Sequence, residues 1–161
     1  MSKTRKFLVP LILILGLIQF IPHEHPTATA EASAAFTTDN NELKSILDKA
    51  CMDCHSNETK YPWYAEVTPL NMWIDGHVEE GREHLNFSEW NSASAADRAH
   101  MSEEIVEVVH EKEMPMLFYW LIHWDAKLTD AERKVIVDAF GGIETNASHS
   151  EEGEDDDDDD H

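Results

Sequence analysis

The chain has 161 residues and a formal net charge of −21, with 42% hydrophobic and 9% aromatic residues. That length suits a single domain with extra sequence at its ends, and the apolar content suffices for a packed core. Residues 31–146 alone hold nine basic and 23 acidic side chains. This balance excludes nucleic-acid binding, because such binding depends on Lys and Arg side chains that neutralise the phosphates. It favours protein partners with basic docking surfaces.

The first 30 residues have the pattern of a targeting segment. Three basic side chains within positions 3–6 precede an apolar run over 7–21, and a small-residue cleavage site follows at 28–30. The run suits a signal-peptide core and is short of the roughly 20 residues that a membrane span needs. An uncleaved inner-membrane tether that locally thins the bilayer is the alternative. Both interpretations predict export to the periplasm, as a soluble domain after signal cleavage or as a membrane-anchored one.

Composition divides the rest of the chain into three parts. Residues 31–37 end a stretch rich in Pro, Ala, Thr and Ser and are interpreted as a linker, and the histidines before them, His23 and His25, as part of a disordered end. Residues 38–142 carry the periodic apolar pattern of a folded domain. The tail over 143–161 includes six consecutive Asp and is predicted to be disordered.

The apolar residues of the folded part recur at helical spacing. Residues 43–54 place their apolar side chains on one face of a first helix, which Asp39 and Glu42 are predicted to cap. A second helix is predicted from a Thr68 cap to about His84, although two glycines within it weaken the prediction.

Two more helices follow in the sequence. The third is predicted to begin at a Ser94–Asp97 capping box and to end at Met114–Pro115. The last begins at Thr129–Glu132 and is predicted to stop at Gly141–Gly142. Because no segment shows sustained strand alternation, the predicted fold class is all-α, with about four helices.

One short motif in the first helix carries chemistry. Residues 51–55, Cys-Met-Asp-Cys-His, have the form C-x-x-C-H, the attachment signature of c-type haem. Two thiols one helical turn apart can each add to a vinyl group on the same porphyrin edge, and the adjacent imidazole then lies below the ring. The motif therefore predicts one covalently attached haem c, held by Cys51 and Cys54, with His55 as an iron ligand.

Three other chemistries use closely spaced cysteines. A structural zinc site needs four ligands, and because the chain has two cysteines, histidines would have to supply the rest. A thioredoxin-like redox pair needs a βαβ context that the pattern lacks. A plain disulfide, common in exported proteins, leaves His55 unexplained. The haem interpretation accounts for all three residues of the motif.

An electron carrier also needs a second protein ligand on its iron, and Met114 is the first candidate. It follows a helix and precedes Pro115, so its thioether can reach the open face of the ring from a loop. Methionine ligation raises the reduction potential, which suits an electron carrier. Two alternatives remain open. Met114 can be a packing residue, and His77 can be the distal ligand or a hydrogen-bonded core residue.

Four further side chains are candidates for the surroundings of the haem. Tyr61 and Trp63 follow the motif by a short loop and are predicted to pack against the porphyrin edge, or simply within the core. Arg82 can pair bidentately with a haem propionate or lie solvated on the surface. His123 stands in a dense aromatic stretch and is expected to donate to a propionate or to the backbone.

Several segments share one pattern with a known family. They are Cys51–Thr59, Tyr61–Tyr64, His77–Arg82, Leu85–Trp90, Met114–Pro115 and Leu128–Arg133. In combination they resemble the bacterial haem-binding domain family of monohaem c-type cytochromes, over about residues 38–140. The resemblance implies a cytochrome c-like α fold with His55 as proximal ligand, and it favours Met114 as distal ligand. Met116 departs from the family pattern and leaves two methionines near the iron.

These observations predict an exported monohaem electron-transfer protein that exchanges electrons with redox partner proteins. We do not expect an enzyme, because no acid–base constellation stands beside the haem motif. The alternative is a haem-based sensor or peroxidase-like enzyme with an open or His-ligated distal site, in which His77 or His123 handles a bound small molecule.

Overall fold

The protein is all-α in its computed structural model, which describes residues 3–151 and the side chains of residues 4–142. Seven α-helices and no strand occur within that range. The helices are α1 Lys3–Ile18, α2 Asn41–Ala50, α3 Met52–His55, α4 Leu70–His84, α5 Ala95–His110, α6 Leu117–Ile122 and α7 Asp130–Glu151. Short 3₁₀ turns connect several of them. The predicted all-α fold class is confirmed.

The hydrophobic core lies where α2 and α5 pack against α7. Leu47 of α2 and Ile136 and Phe140 of α7 are almost completely buried. Phe87 and Trp90, from the segment after α4, complete the core with their rings against Phe140. These large apolar groups stabilise one end of the molecule, since burial of each such side chain contributes roughly 1.5–3 kcal/mol. The C-x-x-C-H motif is therefore attached to a rigid base.

The segment before α2 packs on this core as a strap over residues 22–36. Ala34 is buried, and the Phe36 N–H donates to the Phe87 carbonyl at 2.7 Å. The Phe36 ring contacts those of Phe87, Trp90 and Phe140 at centroid distances of 5.4 to 5.7 Å. The segment that its composition assigns to a linker thus contacts the folded domain through Ala34 and Phe36.

The first predicted helix is interrupted inside the haem motif. Helix α2 ends at Ala50, and Cys51 has a non-helical φ of −128° before the single turn of α3 begins. The predicted Asp39 cap is wrong, because the side chain that accepts the N–H groups of Glu42 and Leu43, at 3.0 and 3.1 Å, belongs to Asn40. An Asn oxygen satisfies the free N–H groups of the first turn as well as an Asp oxygen does.

Two other predicted caps are present. Ser94 and Asp97 form the capping box at the start of α5. At the start of α7, the Glu132 carboxylate accepts from the Thr129 N–H at 2.8 Å, and the Lys49 ammonium of α2 donates to the same carboxylate at 2.5 Å. The hydrogen bonds from Lys49 and Thr129 lower the pKa of Glu132 to about 2. This ion pair joins the motif-bearing helix to α7.

The last helix ends later in the chain than predicted. Helix α7 continues through Gly141–Gly142 to Glu151, so the predicted stop at these glycines is wrong. Neither glycine has a positive φ, and glycine within a helix costs only about 1 kcal/mol relative to alanine. The predicted tail over 143–161 therefore begins as helix, and residues 152–161 lie outside the described range.

Helix α1 contains Pro10 and exposes most of its apolar side chains. Gln19, just after it, is fixed to the loop before α4 by paired hydrogen bonds with Thr68, at 2.7 Å to the carbonyl and 3.0 Å from the N–H. Within the described part of the chain, no helix has both the length and the apolar character needed to cross a membrane.

Candidate functional site

The three motif residues lie together at the junction of α2 and α3. The N–H groups of Cys54 and His55 both donate to the Cys51 carbonyl, at 3.2 and 2.9 Å, so one helical turn sets the spacing of the two thiols. Both cysteines are unpaired and partly accessible. The thiols are thus arranged as a c-type attachment needs them, one turn apart and not joined in a disulfide.

The protonation state of the thiols argues against one of the alternatives. Burial, with a smaller effect of Cys54, raises the pKa of Cys51 to about 12. Burial and the charge of Asp53 raise the pKa of Cys54 to about 11, against an opposing effect of Arg82. Both groups are therefore thiols at neutral pH. Disulfide exchange uses the thiolate, so this environment does not suit a thioredoxin-like pair.

The His55 ring is held in one tautomer by two backbone carbonyls. Its Nδ1–H donates to the Gly81 carbonyl at 2.8 Å and to the Leu85 carbonyl at 3.0 Å, both at the end of α4. Burial lowers the pKa of His55 despite these bonds, so the ring is neutral. Among the described residues Nε2 has no hydrogen-bond partner and keeps its lone pair. This is the arrangement of a metal-binding imidazole, whose other nitrogen donates to the protein.

Gly81 brings α4 close enough to receive the His55 ring. A Cβ at this position would lie 3.0 Å from the carbonyl oxygen of Cys54, which is backbone and cannot rotate away. A methyl group here would therefore push α4 away from α3. The glycine allows a close approach that positions its own carbonyl as the acceptor for His55.

Replacing Gly81 with alanine is expected to destabilise the fold by about 1–3 kcal/mol, the usual cost of overpacking. The matched control is Gly76→Ala in the same helix, where a Cβ would meet nothing within 4 Å; it should stabilise by about 0.5–1 kcal/mol because alanine is the better helix former. Chemical denaturation of both variants measures the difference. Equal denaturation midpoints for the two variants would show that the close approach of Gly81 to Cys54 does not restrict the side chain at position 81.

An apolar cleft with a cavity volume of about 80 Å³ lies beside the motif, between α4 and α6. Cys54 lies in its lining, with apolar side chains from both helices and from the turn before α4. They include Tyr64, Trp73, Val78, Phe118 and Ile122. Trp73 and Phe118 are 46% and 64% exposed, and their rings contact each other in the lining of the cleft.

One unsatisfied polar atom also points to a bound group. His123 Nδ1 is buried without a hydrogen-bond partner among the described residues, and its side chain lines the cleft. Tyr61 also lines the cleft, but its hydroxyl interacts with the Asp75 carboxylate. His123 Nε2 is paired with the Tyr64 hydroxyl at 2.8 Å, and when that hydroxyl donates, Nδ1 carries the hydrogen. A buried donor without an acceptor is rare in proteins. A bound apolar group with carboxylate substituents, such as haem, would supply an acceptor for this nitrogen.

The predicted site residues are only partly brought together. Tyr61 and His77 line the cleft as expected, whereas Trp63 is 79% exposed beside it. Met116 lines the cleft and Met114 is not among its lining residues. The backbone of Met114 is held by the Val108 carbonyl, which its N–H reaches at 3.2 Å, and by Arg133, which donates to its carbonyl at 2.8 Å.

His77 and Arg82 have protein partners. The Nδ1–H of His77 donates to the Trp73 carbonyl at 2.8 Å. His77 lines the cleft, and its Nε2 has no partner among the described residues. Arg82 donates to the Ser56 and Pro26 carbonyls and to the Thr59 hydroxyl, at 2.8, 3.2 and 2.9 Å. The arginine therefore joins the strap, the loop after the motif and α4.

One polar contact of the cleft was not identified from the sequence. The Tyr119 hydroxyl donates to the Asp53 carboxylate at 2.7 Å, and burial followed by this bond raises the pKa of Tyr119 well above its usual range. Asp53 is the second variable residue of the C-x-x-C-H motif, so this bond fastens α6 to the motif. The position of Asp53 inside the motif was the available signal, but nothing in the sequence links it to Tyr119.

The fold and the site define an all-α haem protein. The family of the haem-binding domain matches residues 13–141, and the chain belongs to this family. It is also similar to the cytochrome c peroxidase Ccp of Escherichia coli (strain K12), with 27% identity over 132 residues. That match covers 78% of this chain and 28% of the peroxidase, so the chain spans about a quarter of the length of this curated relative. No solved structure matches the chain.

Proposed function

We propose that this protein is an exported monohaem c-type cytochrome that transfers electrons. Cys51 and Cys54 hold one haem through two thioethers, and His55 is the proximal iron ligand. The observation that carries this proposal is the fixed ring of His55. Its Nδ1–H is bound to two carbonyls, and its Nε2 is left without a partner one residue after the second thiol.

The haem supplies an iron that changes oxidation state by one electron. The chain's own groups hold it in three ways in this proposal. The thiols of the motif fix the porphyrin edge, the apolar side chains of α4 and α6 exclude water from its faces, and the His123 Nδ1–H offers a hydrogen bond to its polar substituents. Such a rigid, water-poor site needs little rearrangement when the charge on the iron changes.

A methionine is proposed as the sixth ligand, because thioether ligation raises the potential and closes the iron to other ligands. Met114 is the candidate from the family resemblance. Met116, two residues further on at the start of α6, is the competing candidate because it lies in the cleft lining. His77 is a third candidate through its unpartnered Nε2.

The proposed location and partners rest on the distribution of charge and apolar residues. The basic and apolar N-terminal segment favours export to the periplasm, by a cleaved signal or a retained tether. The acidic domain favours redox partners with basic docking surfaces, whose approach it would accelerate. Electron transfer to such a partner would take place at the cleft edge.

A haem enzyme is the second candidate function, and its support is the similarity to a relative named as a peroxidase. An enzyme of this kind needs an iron position open to a small molecule, with a group nearby that moves a proton. His77 and His123 are the groups in the cleft that would serve. The two functions therefore differ in whether the sixth position on the iron is filled.

Absorption spectra of the haem-loaded protein in both oxidation states test this difference. We expect a six-coordinate, low-spin haem, with the weak ferric band near the red end that sulfur-to-iron charge transfer produces. Carbon monoxide and peroxide should leave both spectra unchanged. A high-spin ferric haem that reacts with either molecule would support the enzyme and overturn the electron carrier.

A further inference from the structure

A second cluster of potential ligands lies outside the haem cleft, where the strap meets α4. It consists of His23 and His25 of the strap and Asp75 of α4, and one ligand atom from each lies within 4.8 Å of the others. His23 Nε2 contacts one carboxylate oxygen of Asp75, and His25 Nδ1 lies 2.8 Å from the other.

The Asp75 carboxylate needs a compensating positive charge at this position. Asp75 is 7% exposed, and it is the charged residue that the described part of the chain buries most completely. Neither Lys nor Arg pairs with it there; its ion-pair partners are the two histidines. Burial of an ionised carboxylate is costly unless a positive charge compensates it. A bound metal ion would compensate it while both imidazoles stay neutral.

The two imidazoles are fixed in orientations that converge. Their ring centroids are 5.1 Å apart, and the ring planes are almost perpendicular at 85°. The His25 ring also stacks on the Tyr61 ring, at 3.7 Å and 12°. The strap beside them is held by Arg82, which donates to the Pro26 carbonyl at 3.2 Å. Little rearrangement is needed for both rings to share one ion with Asp75.

The far nitrogen of His25 has the kind of partner that a metal-binding histidine commonly has. While Nδ1 faces Asp75, His25 Nε2 lies 3.2 Å from the Glu66 carboxylate, whose side chain is 69% exposed. A histidine that binds a metal through one nitrogen commonly donates its other N–H to a carboxylate, which fixes the tautomer. The Asp75–His25–Glu66 arrangement has that order.

We propose that His23, His25 and Asp75 bind one divalent transition-metal ion of the zinc type, which fastens the strap to α4. Two imidazole nitrogens and a carboxylate oxygen are ligands that such ions accept, and a water molecule completes a four-coordinate site. The acidic domain raises the local concentration of cations. Because His25 stacks on Tyr61, the ion also stabilises one wall of the haem cleft.

Zinc titration of the full haem-loaded chain tests this proposal. Calorimetry in a mild detergent, after treatment with a chelator, should show one ion bound more tightly than the background from the acidic tail. The variant H23N/H25N should weaken that site at least tenfold. The variant H100N/H110N removes two histidines from α5, which lies outside the cluster, and should retain the affinity. Equal isotherms for the two variants would overturn the proposal.

Glu66 offers a milder test that leaves the three ligands intact. Loss of a carboxylate that orients a ligand typically weakens metal binding about 10–100-fold, so Glu66→Gln should weaken zinc binding by about tenfold or more. Glu79→Gln, on the exposed face of α4, is the matched control and should bind as the unmodified chain does. An unchanged haem spectrum verifies that each variant is folded. Equal zinc affinity of E66Q and E79Q would contradict the assigned role of His25.

Discussion

The variant C51A/C54A is expected to lose all covalently bound haem. The chain has two cysteines, so no other thiol can form a thioether after both are removed. Each single variant keeps one thiol and should keep one thioether, so its haem should remain attached after denaturation. Intact-mass measurement and haem staining of a denaturing gel distinguish the three variants from the unmodified chain.

Met52→Leu is the matched control for the cysteine variants, because it changes a residue between the two thiols and leaves both in place. It should retain the full mass of chain plus one haem. Haem that is released from the unmodified chain by denaturation would show that binding is noncovalent. The chain would still be a member of the haem-binding family, but the c-type attachment through Cys51 and Cys54 would be wrong.

Local signals in the sequence predicted most helix starts and the fold class. The capping boxes at Ser94 and Thr129 were found because both of their reciprocal bonds form between residues three positions apart. The continuation of α7 past Gly141–Gly142 was missed because a glycine pair lowers helix propensity by an amount that the rest of a helix can offset. The break at Cys51 was missed because the helical periodicity of the apolar residues continues across it.

The strap shows a different limit of sequence reasoning. Its composition resembles a linker, and His23 and His25 were assigned to a disordered end. In the structure Phe36 enters the aromatic core, and both histidines contact Asp75, about 50 positions away in the chain. Contacts over such separations leave no periodic signal. A metal-ligand cluster of this kind therefore becomes visible only when the fold brings the strap against α4.

The same difference between local and long-range signals applies to the haem site. The ligand role of His55 was predicted from C-x-x-C-H, whereas its orientation depends on the carbonyls of Gly81 and Leu85, which only the packing of α4 reveals. The sequence could not decide which methionine faces the cleft, because Met114 and Met116 flank one proline and share the same loop. Side-chain direction there depends on the whole path from α5 to α6.

Replacing Met114 with alanine is expected to open the sixth position of the iron if Met114 is the distal ligand. The red-end charge-transfer band should disappear, the ferric haem should become high-spin, and the ferrous haem should bind carbon monoxide. The reduction potential should fall by on the order of 100 mV, within the roughly 0.8 V range that axial ligands control. Absorption spectroscopy and a redox titration measure these changes.

Met116→Ala is the matched variant, since it removes the same side chain two residues away on the same loop. If Met114 is the ligand, Met116→Ala should keep the low-spin spectrum and the charge-transfer band. The reverse result would assign the iron bond to the methionine that lines the cleft and refute the assignment from the family pattern. If both variants stay low-spin, neither methionine is the ligand, and His77→Ala should then open the iron, because His77 Nε2 is the remaining free nitrogen among the proposed ligands.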